Sequence, residues 1–449
     1  MGATREQIVA LDKKLLWHPY TPMQRYIEKV DPVVVDRAKG IHLYDKDGSK
    51  LIDGNASWWV NILGHNHPRL MEAIRRQTET LAHCSMAGTI HEPAVRLAES
   101  LLPRCGESYS RLFFSDDGST AVEVAVRMAH QYWRNVGKPE KNRFVTLAGA
   151  FHGETVGAAS VSGAEVFHEA LGDLLFERVL LPSPARAEAG AREGEGEWHE
   201  EAFARAAGIL AEAAEQIAAI IVEPLVQGAA GMLMYPPRYL QRLRELTEKL
   251  DILLIADEVF VGYGRTGSFL AGQRAGIEAD ILCLAKGFSG GVLPMAATLT
   301  TNRIFEAFLG DPSRTLWYGH SFTGNPLGCA VAIETLKIFD DERIVERLPE
   351  KCAAMQRGLD SISDHPWVRD VRRTGMIGAF TLISPKAGEQ SADYLAGAGW
   401  RFYTEARKRG ALLRPLGNVV YFVLPLNIEE PQVDELFSIV GDSLQAAFD

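Results

Sequence analysis

Six short apolar runs recur between residues 111 and 301, and stretches with helical spacing separate the earlier ones. They are RLFFS (111–115), FVTLAG (144–149), IAAIIVEP (217–224), DILLIADEVF (251–260), DILCLAKG (280–287) and MAATLTT (295–301). The runs are apolar on both faces, with no in-out alternation, so both faces of the sheet must be covered. Helical segments such as TAVEVAVRMAHQYW (120–133) supply that cover. The expected class is α/β, with a mostly parallel central sheet and helices on both faces. From about residue 340 the pattern changes. Helical stretches flank VRDVRRTGMIGAFTLI (368–383), and NVVYFVLPL (418–426) lies near the end. This predicts a smaller α+β unit, joined by the N-terminal segment. The expected division is 1–69 for that segment, 70–339 for the large domain and 340–449 for the small one. The Ala-, Gly- and Glu-rich stretch 183–201 is expected to be an exposed insertion.

Bulk properties exclude several classes of function. A net charge of −11 disfavours nucleic acid as a partner. No run reaches the roughly 18 apolar residues of a membrane span. The five scattered cysteines form no CxxC pair, and their odd number argues against a disulfide framework. A soluble, reduced, cytoplasmic protein is expected.

In open α/β sheets, ligands gather beyond the carboxyl ends of the strands. Ser115, Glu223, Asp257 and Lys286 fall at those ends. A lysine following an apolar strand can simply reach solvent; when desolvated it becomes a nucleophile. Asp257 and Lys286 end successive strands, so both can point into one cleft. An aspartate that holds a pyridine nitrogen and a lysine that forms a Schiff base are the two protein groups pyridoxal phosphate needs. SDDGSTAVEVA (115–125) puts Gly118 and Ser119 before a helix, which suits a phosphate; a plain N-cap at Ser119 is the structural alternative. GAFHGE (149–154) offers Phe151 as a flat surface against a ring. Arg414, in LLRPLG (412–417), is a candidate carboxylate anchor. Gly262, Gly264 and Gly267 also match G-x-G-x-x-G, the fingerprint of a nicotinamide-dependent oxidoreductase. Asp257 and Glu258 stand between the strand and these glycines, where they would oppose a pyrophosphate. His65 and His67 form an HNH pair that lacks a completing metal-ligand set, and a structural role is expected for them; no metal site is expected.

Together these stretches resemble the class III, ω-amino-acid aminotransferases, a fold-type I pyridoxal-phosphate family, over almost the whole chain. IIVEPLVQGAAGM, LLIADEVFVGYGRTG and LAKGFSGG carry the family likeness. WHPYTPM (17–23), DGNASWWVNILGHNHP (53–68) and GALLRPLGNVVYFVLPL (410–426) resemble its biotin-pathway branch. That branch aminates 7-keto-8-aminopelargonate, with S-adenosylmethionine or lysine as donor. The resemblance implies a homodimer with shared active sites. It implies that Lys286 carries the cofactor and shuttles protons, Asp257 holds the ring nitrogen, Gly118 and Ser119 hold the phosphate, and Phe151 covers the ring. In YGHSFTGNP (318–326), His320 and Ser321 would reach the phosphate of the neighbouring subunit's cofactor, and Gly319 its substrate. Tyr20, with Lys286 and Asp257 a candidate catalytic residue, and Trp58 would line the substrate channel. Arg414 would bind the substrate carboxylate and pair with Glu223 when none is bound. The chain departs from the family pattern at Phe151 (often Tyr), Glu154 (usually Asp), Ser321 (usually Thr) and in NASWW. Other class III amine or ω-amino-acid transaminases, and a non-catalytic relative of the fold, are the alternatives.

Overall fold

The computed structural model describes residues 2–185, 200–384 and 397–448. The expected insertion therefore lies largely outside the described residues. The central sheet has seven strands: β1 (Tyr109–Ser115), β2 (Arg143–Leu147), β3 (Arg178–Leu181), β4 (Ile217–Val222), β5 (Leu253–Asp257), β6 (Ile281–Leu284) and β7 (Ala296–Thr301). Their spatial order is β1-β7-β6-β5-β4-β2-β3. Only β7 runs antiparallel to its neighbours β1 and β6; the other pairings are parallel. Every residue of β4, β5 and β6 is buried, which is why their sequences read as unbroken apolar runs. The edge strand β3 was not among the expected runs. It is partly exposed and only four residues long.

The helix Gly118–Asn135 shows how the sheet is covered. Its buried stripe includes Ala121, Val122, Ala125, Met128, Ala129 and Trp133, at the three-to-four spacing of one helical face. The small residues let its backbone come close to the sheet: the Ala121 carbonyl accepts the Thr298 hydroxyl of β7 at 2.7 Å.

The N-terminal and C-terminal parts of the chain share a sheet. Val35–Lys39, His42–Asp45 and Lys50–Asp53 pair antiparallel, and Ala411–Leu412 adds parallel to the last of them. Val368–Thr374, Ile377–Leu382 and Val419–Val423 form a separate antiparallel sheet. This places Arg414 beside the segment that follows Asp53. Among the described residues, no helix is long and apolar enough to cross a membrane.

Candidate active site

The register Asp257↔Cys283 aligns β5 and β6, so Asp257 and Lys286 leave the same edge of the sheet. Asp257 is buried, 4 % of the residue being exposed. One oxygen lies 2.7 Å from His152 Nδ1 and the other accepts the Val259 amide at 3.0 Å. His152 is itself held: its amide donates to Ser162 Oγ at 2.9 Å, and Nε2 lies 3.4 Å from Thr146 Oγ1. Two fixed partners, one on each oxygen, set the orientation of the carboxylate. Sequence reasoning passed over this role of His152, because only the fold carries the loop after β2 past β4 to the end of β5. The Lys286 amine sits 5.1 Å from the Trp59 ring centroid. Burial holds it below the ordinary lysine range, while Asp257, Glu223 and Asp117 pull it back up.

Glu223, just beyond β4, is buried and spans two loops. Its carboxylate accepts the amides of Phe151 and Gly228, each at 2.9 Å. Burial pushes it up to about 7. The expected pairing with Arg414 is absent: backbone amides take both oxygens. The first of those bonds fixes the loop that presents Phe151. Its ring stacks on buried His168 at 5.6 Å and meets Phe167 edge-on at 5.7 Å.

The helix starting at Gly118 is capped by Asp117, not by Ser119. Asp117 accepts the Thr120 amide at 2.9 Å, and Thr120 Oγ1 accepts the Asp117 amide at 3.0 Å. That leaves Ser119 available to the neighbouring loop, where its hydroxyl accepts the Glu154 amide at 3.0 Å. The cradle is tight. A Cβ on Gly118 would come within 2.6 Å of Val259, and one on Gly153, which has φ +133°, within 2.5 Å of Ser119 Oγ. Ser115 Oγ, buried at the end of β1, has no hydrogen-bond partner. A helix N-terminus, a serine hydroxyl, glycines with no room for a side chain and a fixed carboxylate fit a phosphorylated pyridine ring.

The outer wall comes from the N-terminal segment. Ala56, Ser57, Trp58 and Trp59 form a turn of left-handed backbone with φ +46°, +46°, +66° and +76°. No glycine relieves it, at a cost of about 1–2 kcal/mol per residue. Hydrogen bonds hold it: Ser57 Oγ to Asp53 at 2.7 Å, and the buried Arg265 guanidinium to the Trp59 carbonyl at 3.2 Å and to the Leu424 carbonyl. The turn brings both tryptophans to the site. Trp59 packs over Lys286, while Trp58 is 45 % exposed at the mouth. There Tyr20 meets Trp58 edge-on at 5.4 Å, its hydroxyl donates to Glu154, and the Arg414 guanidinium lies 5.7 Å from the Trp58 ring centroid.

Two other sequence features resolve differently. His65 bonds Asp53 at 2.9 Å and Asn61 at 2.6 Å, and His67 lies 3.2 Å from Glu342, so the HNH pair braces the fold. The Gly262–Gly267 stretch is a turn followed by a five-residue helix, Ala271–Ala275. Glu258 takes that helix's first two amides at 2.7 and 2.8 Å, which excludes a pyrophosphate there. Gly319, His320 and Ser321 are not brought to Lys286 within one chain. They line a surface hollow of about 1040 Å³ with Ile90 and Trp317, and His320 Nδ1 lies 3.5 Å from Asp116.

The family model described as aminotransferase class-III matches residues 25–444. The chain is a class III aminotransferase. It is similar to the adenosylmethionine-8-amino-7-oxononanoate aminotransferase of Geobacter sulfurreducens, with 41% identity over 95% of this chain and 94% of that protein. The enzyme of the same name from Synechococcus elongatus is 44% identical over 96% and 98%. Among solved structures, the Methanocaldococcus jannaschii enzyme of that name superposes with a TM-score of 0.92 at 33% identity, covering 99% of this chain and 100% of that one. An omega transaminase from Pseudomonas jessenii in complex with PMP superposes with a TM-score of 0.90 at 30% identity, covering 98% of each chain. This aminotransferase therefore has the fold-type I architecture, and the oxidoreductase alternative is discarded.

Proposed function

We propose that this aminotransferase transfers an amino group from S-adenosylmethionine to the ketone of 7-keto-8-aminopelargonate, giving 7,8-diaminopelargonate. The observation that carries the reading is Arg414. Its guanidinium stands at the mouth beside Trp58 and donates to the Tyr20 carbonyl at 3.3 Å, with an aromatic passage leading inward to Lys286. A long aliphatic chain with a terminal carboxylate needs an apolar wall and one distant cation, and Trp58, Tyr20 and Arg414 provide them. The names of the relatives support the same substrates.

Pyridoxal phosphate, when bound, supplies the electron sink that makes the substrate C–H acidic. The protein's residues do the rest. Gly118 and Ser119 hold the phosphate, Phe151 covers one face of the ring, and Asp257, steadied by His152, accepts the hydrogen bond of the ring N–H. The Lys286 amine is the base that takes a proton from the substrate carbon and returns it; its lowered basicity leaves it free of that proton at neutral pH more often than a solvated lysine. Glu154 and the faces of Tyr20 and Trp58 receive the cationic donor. Leaving of one product before entry of the second substrate makes the cycle ping-pong.

A second copy covers the exposed face around Ile90 (79 % exposed), Trp317 (79 %) and Phe322 (57 %), and carries Gly319, His320 and Ser321 to the other site. The sharing of one sheet by the N- and C-terminal segments supports a division near residues 69 and 339, the second of which falls within the helix Pro326–Asp341. The odd number of cysteines and the lack of a CxxC pair suit a cytoplasmic location. Incubating the protein with pyridoxal phosphate, 7-keto-8-aminopelargonate and each donor, with mass-spectrometric detection, tests the reading. The diamine should form with S-adenosylmethionine. Formation with lysine alone would replace the donor; no diamine with either would leave a different class III transaminase.

A further inference from the structure

Asn55 lies two residues beyond the strand segment Lys50–Asp53, immediately before the left-handed turn, and it is 6 % exposed. Its side-chain amide is used on both sides. Oδ1 accepts the Arg414 amide at 2.6 Å, and Nδ2 donates to the Tyr421 carbonyl at 3.0 Å. The orientation is forced, because one partner can only donate and the other only accept. Its own carbonyl accepts the Trp59 amide at 2.8 Å. One residue thus joins the turn bearing both tryptophans, the segment bearing Arg414 and the strand Val419–Val423.

Regular pairing between these segments stops just before this point. Leu412 is in register with Asp53, and the Gly54 amide donates to the Leu412 carbonyl at 3.1 Å. The Asn55 side chain extends that connection to Arg414. Ser57–Asp53 and Arg265 also restrain the turn, but neither touches the Arg414 backbone. A left-handed turn of four non-glycine residues relaxes when its restraints are removed. Any relaxation here changes the separation between the tryptophans and Arg414.

We infer that Asn55 is a positioning residue that sets the reach from the Trp58–Trp59 wall to the Arg414 guanidinium, and so determines how well an ω-carboxylate on a long aliphatic chain is held. This rests on Arg414 being the carboxylate anchor. Both groups of the amide are occupied, so Asn55 acts through its neighbours rather than by touching substrate.

The test compares kcat/KM for 7-keto-8-aminopelargonate with that for its analogue lacking the carboxylate, in wild type, Asn55→Ala, Asn55→Asp and Arg414→Ala. Calorimetric binding of pelargonate to each cofactor-loaded protein gives a second readout. Asn55→Ala leaves two buried groups without partners. It should lower the ratio about tenfold, mostly through KM, and weaken pelargonate by a similar factor. Asn55→Asp keeps the acceptor for the Arg414 amide but loses the donor to Tyr421. It should fall between wild type and Asn55→Ala, and it decides the matter if Asn55→Ala does not fold. A ratio unchanged in Arg414→Ala would overturn the anchor reading and this inference with it. A ratio that falls in Arg414→Ala but not in the Asn55 variants, or equal losses with both substrates, would overturn this inference alone.

Discussion

Replacing His152 tests how Asp257 is held. The imidazole side chain is fully enclosed and the carboxylate side chain is 5% exposed, with 2.7 Å between them. His152→Ala leaves Asp257 with only the Val259 amide, in a place where water does not compensate. Losing a hydrogen bond to a buried carboxylate costs about 1.5–3 kcal/mol. His152→Asn places an amide N–H near the position of Nδ1 and keeps that bond. Its remaining cost, which His152→Ala shares, is the lost ring packing, about 1–2 kcal/mol. The difference between the two variants, about 1.5–3 kcal/mol, isolates the hydrogen bond. Urea unfolding followed by circular dichroism gives the stabilities, and an absorbance titration gives cofactor affinity. His152→Ala should lose more of both than His152→Asn. Equal losses, or a total below about 1 kcal/mol for His152→Ala, would refute the claim that His152 holds the carboxylate.

Three further outcomes are expected. Gly118→Ala brings a Cβ within 2.6 Å of Val259, whose amide holds Asp257; cofactor dissociation constants from fluorescence titration should rise about tenfold, with a smaller change in kcat at saturating cofactor. Trp58→Ala removes a half-exposed ring that lies near Arg414, so steady-state kinetics should show KM for the keto acid rising several-fold, while the unfolding free energy from urea curves stays within about 0.5 kcal/mol of wild type. Burial raises both Glu223 and Glu258 to about 7, above their unfolded values, so the stabilisation from their bound protons is complete below about pH 4.5 and is lost as pH rises through 7. Each contributes a slope of at most about 1.4 kcal/mol per pH unit in that window; Glu223→Gln should remove one such contribution from a series of urea unfolding curves between pH 5 and 8.

The central strands were legible because burial on both faces leaves a continuous apolar signature, and Asp257 and Lys286 stood out as charges closing such runs. β3 escaped because an edge strand of four residues, partly exposed, carries neither signature. The left-handed turn was illegible for a different reason. Positive φ is ordinarily announced by glycine or asparagine, but Ala56–Trp59 are held there by Asp53, Asn55 and Arg265, the last of which is brought to the turn only by the fold. The same holds for His152. Its partner lies 105 residues away, and no spacing rule links them. The N-cap was misplaced by two residues, since Asp117 and Ser119 are equally good capping types and only the Thr120 contact distinguishes them.

The most direct test is a half-reaction followed by absorbance. The protein is converted to its pyridoxamine form, freed of excess cofactor and mixed with 7-keto-8-aminopelargonate alone. The account predicts return of the near-visible absorbance of the aldehyde form, at a rate that saturates with the keto acid. No return with this acceptor, alongside return with a simple keto acid such as pyruvate, would contradict the proposed substrate and leave a class III aminotransferase with a different one.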